Sequence, residues 1–468
     1  MTTEQALWHR RWESLNETLL ALQMQYEHFQ NESDALRENT IFQLLFHLQQ
    51  FGAAQFRFFH DGFFTKQFVE LQAIPDEQTF DFPQYITSHS IEQHVLHNIL
   101  RQIAADMEVI QRASQQRFAV AETPPSAPPA KTESLESAPV AEQFRITLIT
   151  VDKLALTALR MFHGYLENDN QTALTYFRRS ANVRVIPYAP VALIGIPVTV
   201  AGIGEGSGVV EDLLAIPHEV GHHVYWNGRV DGRRIHAALE EMTANSLVAH
   251  WCEEIFADVV GCLIGGPVVA RSFIELELTS IGHEFVHADN PHPMPALRPL
   301  LYAYTLEKMK NFPNIAAEIR TIWQAQLNER KLFVNRELLY AGYQLVDDIL
   351  AVMNKEVPHW LLWSEDVAYA DLYENFSGRI ENLVQTVPDE GPLDPADLQI
   401  QTSWFDLVRE LAEDGTLSGL ENHWEAMAGG ESESGDESIK VDAAAWLRIY
   451  DFGGWITAGP QGGNISPD

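Results

Sequence analysis

The sequence predicts a mostly helical α+β fold, and two patterns indicate it. Apolar residues recur at helical spacing through residues 1–118 and again through residues 300–385. Between these regions, the run from Val185 to Gly204 is uncharged and rich in Val and Ile, and prolines and glycines interrupt it. The run is long enough to span a bilayer, but its composition is typical of short strands joined by turns. We therefore expect strands, not a membrane helix, at this point.

Composition divides the chain into four segments. Residues 1–118 form a helical N-terminal module, and residues 119–142, rich in Pro, Ala and Ser, form a linker. Residues 143–386 mix strand and helix patterns and carry the candidate site, and residues 387–468 form an acidic C-terminal extension. The helical pattern of 300–385 continues the chain toward that extension. The linker suggests an N-terminal module that acts as a sensor or as a partner-binding unit.

The charge of the chain excludes two classes of partner. It has 31 basic and 65 acidic residues, a formal net charge of −34 at pH 7. Such a chain repels nucleic acids and anionic membrane surfaces, so neither is an expected partner. The acidic excess is largest in the last quarter, which indicates a solvated acidic surface rather than a mimic of nucleic acid or a trap for basic partners.

The cysteines and the N-terminus indicate a cytoplasmic protein. Cys252 and Cys262 are ten residues apart on one predicted helix. That spacing corresponds to about 15 Å, too far for a disulfide. Reduced thiols suit the cytosol, and the first residues lack the apolar core of a signal peptide.

An H-E-x-x-H motif is the strongest functional signal, and it comprises His218, Glu219 and His222. On a helix the two histidines share a face and can bind one metal ion, with Glu219 beside it. An E-x-x-A-D segment follows, with Glu254 as a carboxylate third ligand and Asp258, one turn later, placed to orient a ligating histidine. Three protein ligands leave one position for water, which is typical of a catalytic zinc site.

A second H-E-x-x-H copy, from His283 to His287, is the alternative site. It runs into Asn290-Pro291, which should end its helix almost at once. Its only plausible third ligand, Glu307, has no Asp four residues later. The first copy is therefore the predicted site.

Pro217, immediately before His218, leaves two alternatives for the helix that carries the first motif. The helix could begin at Pro217, because proline is tolerated at the first helical position. It could instead run from Val210 and bend at residues 213–217, because proline inside a helix removes a hydrogen bond and clashes with the preceding turn. We expect the bend.

The stretch from Val191 to Arg298 resembles the catalytic core of the CAAX-prenyl-protease/HtpX-type family of gluzincin metallopeptidases. The resemblance follows the apolar run, the sequences HEVGH and EIFAD, and a piece from His292 to Arg298 that is similar to H-P-x-x-x-x-R. It covers less than a quarter of the chain. This chain departs from the family's best-known members in having no clear transmembrane helix, and the interval between His222 and Glu254 is shorter than the family usually has.

The resemblance implies a zincin-like metallopeptidase core with one Zn²⁺. It assigns roles to seven residues: zinc ligands His218, His222 and Glu254; general base Glu219; a histidine-orienting acid, Asp258; an oxyanion-stabilising His292; and Arg298, which would hold the site or the substrate. The expected activity is zinc-dependent hydrolysis of peptide bonds in an intracellular protein or peptide substrate, regulated by the N-terminal module or by a partner protein. In zinc peptidases a strand such as that of the Val185–Gly204 run borders the cleft, and a peptide can pair with its edge.

The alternative is a catalytically silent zinc-binding scaffold or interaction protein. Glu219 argues against it, because a structural zinc ion has no use for a general base.

Overall fold

The computed structural model describes most of the chain apart from its C-terminal fifth. The described residues are 3–27, 36–64, 68–72, 91–118, 140–166, 172–179, 181–184, 186, 188–189, 191–201, 213–244, 246–278, 285, 292–309, 312–353, 368–373 and 439–442. The predicted linker up to residue 139, nearly all of the acidic extension, and the second H-E-x-x-H copy except Phe285 lie outside them. Among the described helices, none combines the length and the apolar character that crossing a membrane requires.

The fold is mostly helical with a small sheet, as the sequence predicts. The chain divides into two compact units. The first comprises residues 1–115, 186–190 and 391–456, and the second comprises residues 116–185, 191–390 and 457–468.

The first unit is built on three long helices: α1 (Thr3–Tyr26), α2 (Leu36–Phe64) and α3 (Ile91–Phe118), whose last residues belong to the second unit. Trp12 of α1 stacks on Phe56 of α2 with ring centroids 5.4 Å apart. A strand, β1 (Phe68–Gln72), pairs in parallel with Ile439–Asp442. The helical spacing of residues 1–118 does not predict this strand.

The second unit begins with α4 (Val140–Arg160) and a three-stranded sheet. Its strands are β2 (Thr172–Arg178), β3 (Asn182–Arg184) and β4 (Val191–Pro197), in the order β2-β4-β3. β4 runs parallel to β2 and antiparallel to β3. A strand within the Val185–Gly204 run is therefore confirmed.

The expectation that a peptide pairs with the edge of that strand is wrong for β4. This strand is central, with β2 on one side and β3 on the other over Leu193–Gly195. The reason is that β3, which precedes it in the chain, folds back onto it. The composition of the run predicts a strand but not which other strands pair with it.

Helices form the rest of the second unit. In chain order the elements are α5 (Ala215–Asn227), the short strands β5 (Arg229–Val230) and β6 (Arg233–Arg234), α6 (Ile235–Thr243), α7 (Cys252–Gly265), α8 (Pro267–Leu278), α9 (Arg298–Lys308), α10 (Pro313–Glu329) and α11 (Arg336–Val352). Prolines in the first turns of α9 and α10 suit helix starts, where their missing N–H is not needed. Asn335 caps α11 by accepting hydrogen bonds from the backbone N–H groups of Glu337 and Leu338.

Helix α7 lies at the centre of this unit, because nearly all of its side chains are buried. It packs against α5, α6, α8, α9 and α11. Cys252 and Cys262 both lie on α7, and both are buried free thiols, as the spacing predicts. The carboxylates of Glu254 and Asp258 on this helix are therefore held in the interior and must find partners there.

Candidate metal centre

Pro217 lies in the first turn of the helix that carries the first motif. Helix α5 begins at Ala215, so Pro217 is its third residue, and Leu213 and Leu214 form a short 3₁₀ turn. The first N–H groups of a helix have no intrahelical partner, so proline costs no hydrogen bond there. Val210, from which a bent helix is the other alternative, lies outside the described residues, which resume at Leu213. His218 therefore lies in the first full turn of a regular helix.

The first H-E-x-x-H motif brings its two imidazoles together on α5. The Nε2 atoms of His218 and His222 are 3.2 Å apart, and both side chains are buried. Carboxylate oxygens of Glu254, on α7, lie 3.7 Å from the Nε2 atom of His218 and 3.6 Å from that of His222. The structure therefore brings together the three side chains that the sequence selects as metal ligands.

The spacing of these atoms fits one four-coordinate metal ion. Zinc–ligand bonds of about 2.1 Å in a tetrahedral arrangement place neighbouring ligand atoms about 3.4 Å apart. The ligand atoms of His218, His222 and Glu254 all lie within 4.8 Å of one another, and no other such group occurs within the described part of the chain. This buried group can hold a metal ion.

Gly221 explains why α5 and α7 approach so closely. A Cβ atom at position 221 would lie 2.7 Å from the Cα of Ala257 on α7 and 3.1 Å from its carbonyl oxygen. Any larger residue would push the helices apart. The small residues at these two motif positions therefore bring Glu254 within reach of the imidazoles.

Each imidazole has a carboxylate at its second ring nitrogen. Nδ1 of His218 lies 3.0 Å from Oδ1 of Asp258, as the E-x-x-A-D segment predicts. Nδ1 of His222 lies 2.9 Å from Oε1 of Glu253, which the sequence did not single out. Trp226 donates its indole N–H to the same oxygen of Glu253 at 2.9 Å. Carboxylates in this position fix the ring orientation of metal-binding histidines.

Arg298 contacts three of the carboxylates around the site. Its guanidinium donates to both oxygens of Asp258 at 2.7 Å and lies 3.4 Å from Glu254 and 3.5 Å from Glu277. Its side chain is buried among these carboxylates.

Three further residues surround this arginine, and the sequence identified none of them. Tyr302 donates its hydroxyl to Asp258, and the ring of Phe273 lies 4.9 Å below the guanidinium carbon of Arg298. Glu277 is a buried acid on α8. Tyr302 follows Arg298 by four residues on α9, so helical spacing from the arginine was the signal that could have found it.

His292 lies at the more open side of the group. Its Nε2 atom is 3.4 Å from Oε1 of Glu254, and its side chain is 19% exposed, against 5% for Glu254. Among the predicted site residues it is the one that solvent reaches most easily.

Glu219 is buried beside the histidines, and it is held by the sheet. The backbone N–H of Val183, on β3, donates a hydrogen bond to its carboxylate, and burial raises the pKa of Glu219 to about 7. Its Oε2 atom is buried and accepts no hydrogen bond from the described residues. One oxygen of a weakly acidic carboxyl group is thus available for a proton.

Charge in the site favours a cation. Burial alone would lower the pKa of His222, but the carboxylates of Glu254 and Glu253 outweigh it and raise that pKa to about 9. Burial would raise the pKa of Glu254, but His222, His218 and Arg298 together lower it. The site therefore attracts a positive charge, whether a proton or a metal ion.

No protein-family model, curated protein or solved structure matches this chain. The resemblance of the stretch Val191–Arg298 to the gluzincin metallopeptidases therefore stays an expectation, and the geometry of the site carries the functional argument.

Proposed function

We propose that this chain is a zinc-dependent metalloendopeptidase whose zinc ion is bound by His218, His222 and Glu254. The observation that carries the proposal is Glu219, a buried carboxyl group one residue after the first ligand, with an oxygen that no described residue hydrogen-bonds. A site that only stores or structurally uses zinc needs no such group.

The chemistry follows from the residues that surround the ion. Zinc, when bound, supplies a Lewis acid that polarises a carbonyl group and lowers the pKa of water. Glu219 accepts a proton from the attacking water at its Oε2 atom, which is buried and accepts no hydrogen bond from a described residue, and passes that proton to the leaving amine. His292, the most exposed member, donates a hydrogen bond to the carbonyl oxygen as negative charge develops there. Asp258 and Arg298 hold His218 and Glu254 in place.

The substrate of this proposal is a protein or peptide, and the N-terminal module or a partner protein regulates access to it. The test is a comparison of new N-termini that appear in a complex protein mixture with the wild-type chain, with the chain plus a chelator, and with the chelated chain after zinc is restored. We expect cleavages that vanish with chelation and return with zinc. Identical profiles in all three samples would refute the peptidase.

A second candidate function, a zinc-binding scaffold without activity, is favoured by one observation. His218, His222 and Glu254 are each at most 5% exposed, so the ligands are closed off as in a structural site. In the same comparison the scaffold predicts bound zinc and no chelator-sensitive cleavage.

Metal content tests the ligand set directly. The purified chain should hold about one zinc ion, and His218→Ala or Glu254→Ala should lose it. His250→Ala, which changes an exposed histidine just before α7, is the matched control and should keep zinc. Elemental analysis of dialysed protein provides the measurement. Zinc retained in Glu254→Ala but lost in His287→Ala would move the site to the second motif.

Zinc affinity should depend on pH through His222. Its pKa is raised to about 9 in the metal-free chain, so at neutral pH it carries a proton that zinc must displace. The zinc affinity should rise about tenfold per pH unit between pH 6.5 and 8.5 and level off above about 9. Titration against a competing chelator, repeated in buffers of different ionisation enthalpy, measures both the affinity and the proton released. An affinity that is flat across this range would contradict the assignment of His222 as a ligand.

A further inference from the structure

Glu253 has the geometry of a residue that positions a metal ligand. Its Oε1 atom lies 2.9 Å from Nδ1 of His222, and its side chain is 22% exposed, whereas that of His222 is only 1% exposed. An ionised carboxylate only accepts hydrogen bonds, so the proton of a neutral His222 must sit on Nδ1. The Nε2 lone pair then faces the other ligands.

Trp226 fixes the carboxylate in turn. Its indole N–H donates to the same Oε1 atom at 2.9 Å, and the indole is 7% exposed. A buried indole N–H needs an acceptor. The ring N–H of His222 and the indole N–H of Trp226, both on α5, therefore converge on a single oxygen of Glu253. Together they fix the position of that oxygen.

The arrangement repeats the one around the first histidine. Asp258 faces Nδ1 of His218 at 3.0 Å and is held by Arg298 and Tyr302. Glu253 faces Nδ1 of His222 and is held by Trp226. Helix α7 thus carries a ligand, Glu254, and a carboxylate for each imidazole.

We propose that Glu253 is the positioning residue for His222: it holds the Nε2 atom toward the zinc ion, and Trp226 holds Glu253. This inference rests on the zinc site of the proposed function, but it does not depend on peptidase activity. Glu253 acts through His222 and touches neither the metal nor a substrate.

The test compares zinc affinity in three variants, measured by competition with a chelator. Glu253→Ala should bind zinc about 10–100-fold more weakly than the wild type. Glu253→Gln should stay within a few fold of the wild type, because the amide oxygen still accepts from His222 and Trp226. Trp226→Phe should show a smaller loss than Glu253→Ala. Glu241→Ala is the control, because it removes an exposed acid of α6 and should leave affinity unchanged.

A spectroscopic measurement separates positioning from a general loss of stability. Co²⁺ in place of zinc should give Glu253→Gln the visible absorption of the wild type, and Glu253→Ala a changed one, because the His222 ring has moved. Wild-type zinc affinity or an unchanged Co²⁺ spectrum in Glu253→Ala would overturn the inference, as would Glu253→Gln binding as weakly as Glu253→Ala. In each of these cases the wild-type zinc site stands, whereas a wild-type chain that binds no zinc refutes the proposed function itself.

Discussion

Glu219→Gln is expected to remove the proposed peptidase activity, by about 10²–10⁴-fold or more, while the proposed zinc ion stays bound. The amide has the size of the carboxyl group and fits the same buried space, but it cannot accept a proton from water. His218, His222 and Glu254 are untouched, so zinc content should stay at about one ion per chain. Initial rates on a substrate found by the cleavage comparison, together with elemental analysis, measure the two properties on one sample.

The direction in which Glu219→Gln changes the stability of the metal-free chain follows from the pKa of Glu219. The pKa of Glu219 is raised from 4.5 to about 7, so in the metal-free fold its carboxyl group contributes stability below its ordinary pKa and loses that contribution as the pH rises to about 7. Gln removes this loss, so metal-free Glu219→Gln at pH 8 should unfold at the wild-type temperature or above it. Wild-type rates in Glu219→Gln would show that Glu219 is not the general base. Glu241→Gln, which changes an exposed acid of α6, is the control for the loss of a carboxylate.

Arg298→Met is expected to cost about 3–5 kcal/mol of folding free energy, because it breaks a buried ion pair by removing one partner. Arg298 contacts Asp258, Glu254 and Glu277, and all of these carboxylates are buried. Without the guanidinium these buried carboxylates lose the arginine that lowers the pKa values of Glu254 and Asp258, so their negative charge is less compensated in the interior. Denaturant unfolding of the metal-free chain measures the loss.

The matched control is Arg233→Met, which removes an exposed arginine paired with Glu241. Exposed pairs are typically worth about 1 kcal/mol or less, so this variant should unfold almost like the wild type. The double variant Arg298→Met with Asp258→Asn should recover part of the loss, because one of the stranded charges is gone. A loss as small as that of the control would mean that water reaches these carboxylates.

The spacing of residues along each helix was sufficient to predict much of the candidate site. His218 and His222 are four residues apart on one helix, and Glu254 and Asp258 are four apart on another, so helical geometry alone places each pair on a common face. Local sequence also predicted two parts of the fold. The apolar Val/Ile-rich run predicted the strand β4, and the helical periodicity of residues 1–118 predicted helices.

Glu253 and Glu277 could not be assigned roles in this way. Their partners lie on other helices, and the angle at which those helices cross is set by packing rather than by local sequence. The start of α5 escaped prediction because Leu214, at its N-cap, makes no side-chain capping hydrogen bond, so the sequence contains no boundary signal there. The central place of β4 depends on the return of β3, which is again a question of tertiary pairing.

The close contact of α5 with α7 at Gly221 has a thermodynamic consequence. Because the backbones of the two helices pack directly against each other there, the ligand atoms of His218, His222 and Glu254 are held within 4.8 Å of one another. If the proposed zinc ion binds between these side chains, little of its binding free energy should be consumed in ordering the chain. Small zinc fingers unfold when they lose their metal. We expect this fold instead to persist in chelated protein, so that the fraction of molecules loaded with the proposed zinc ion follows the free zinc concentration.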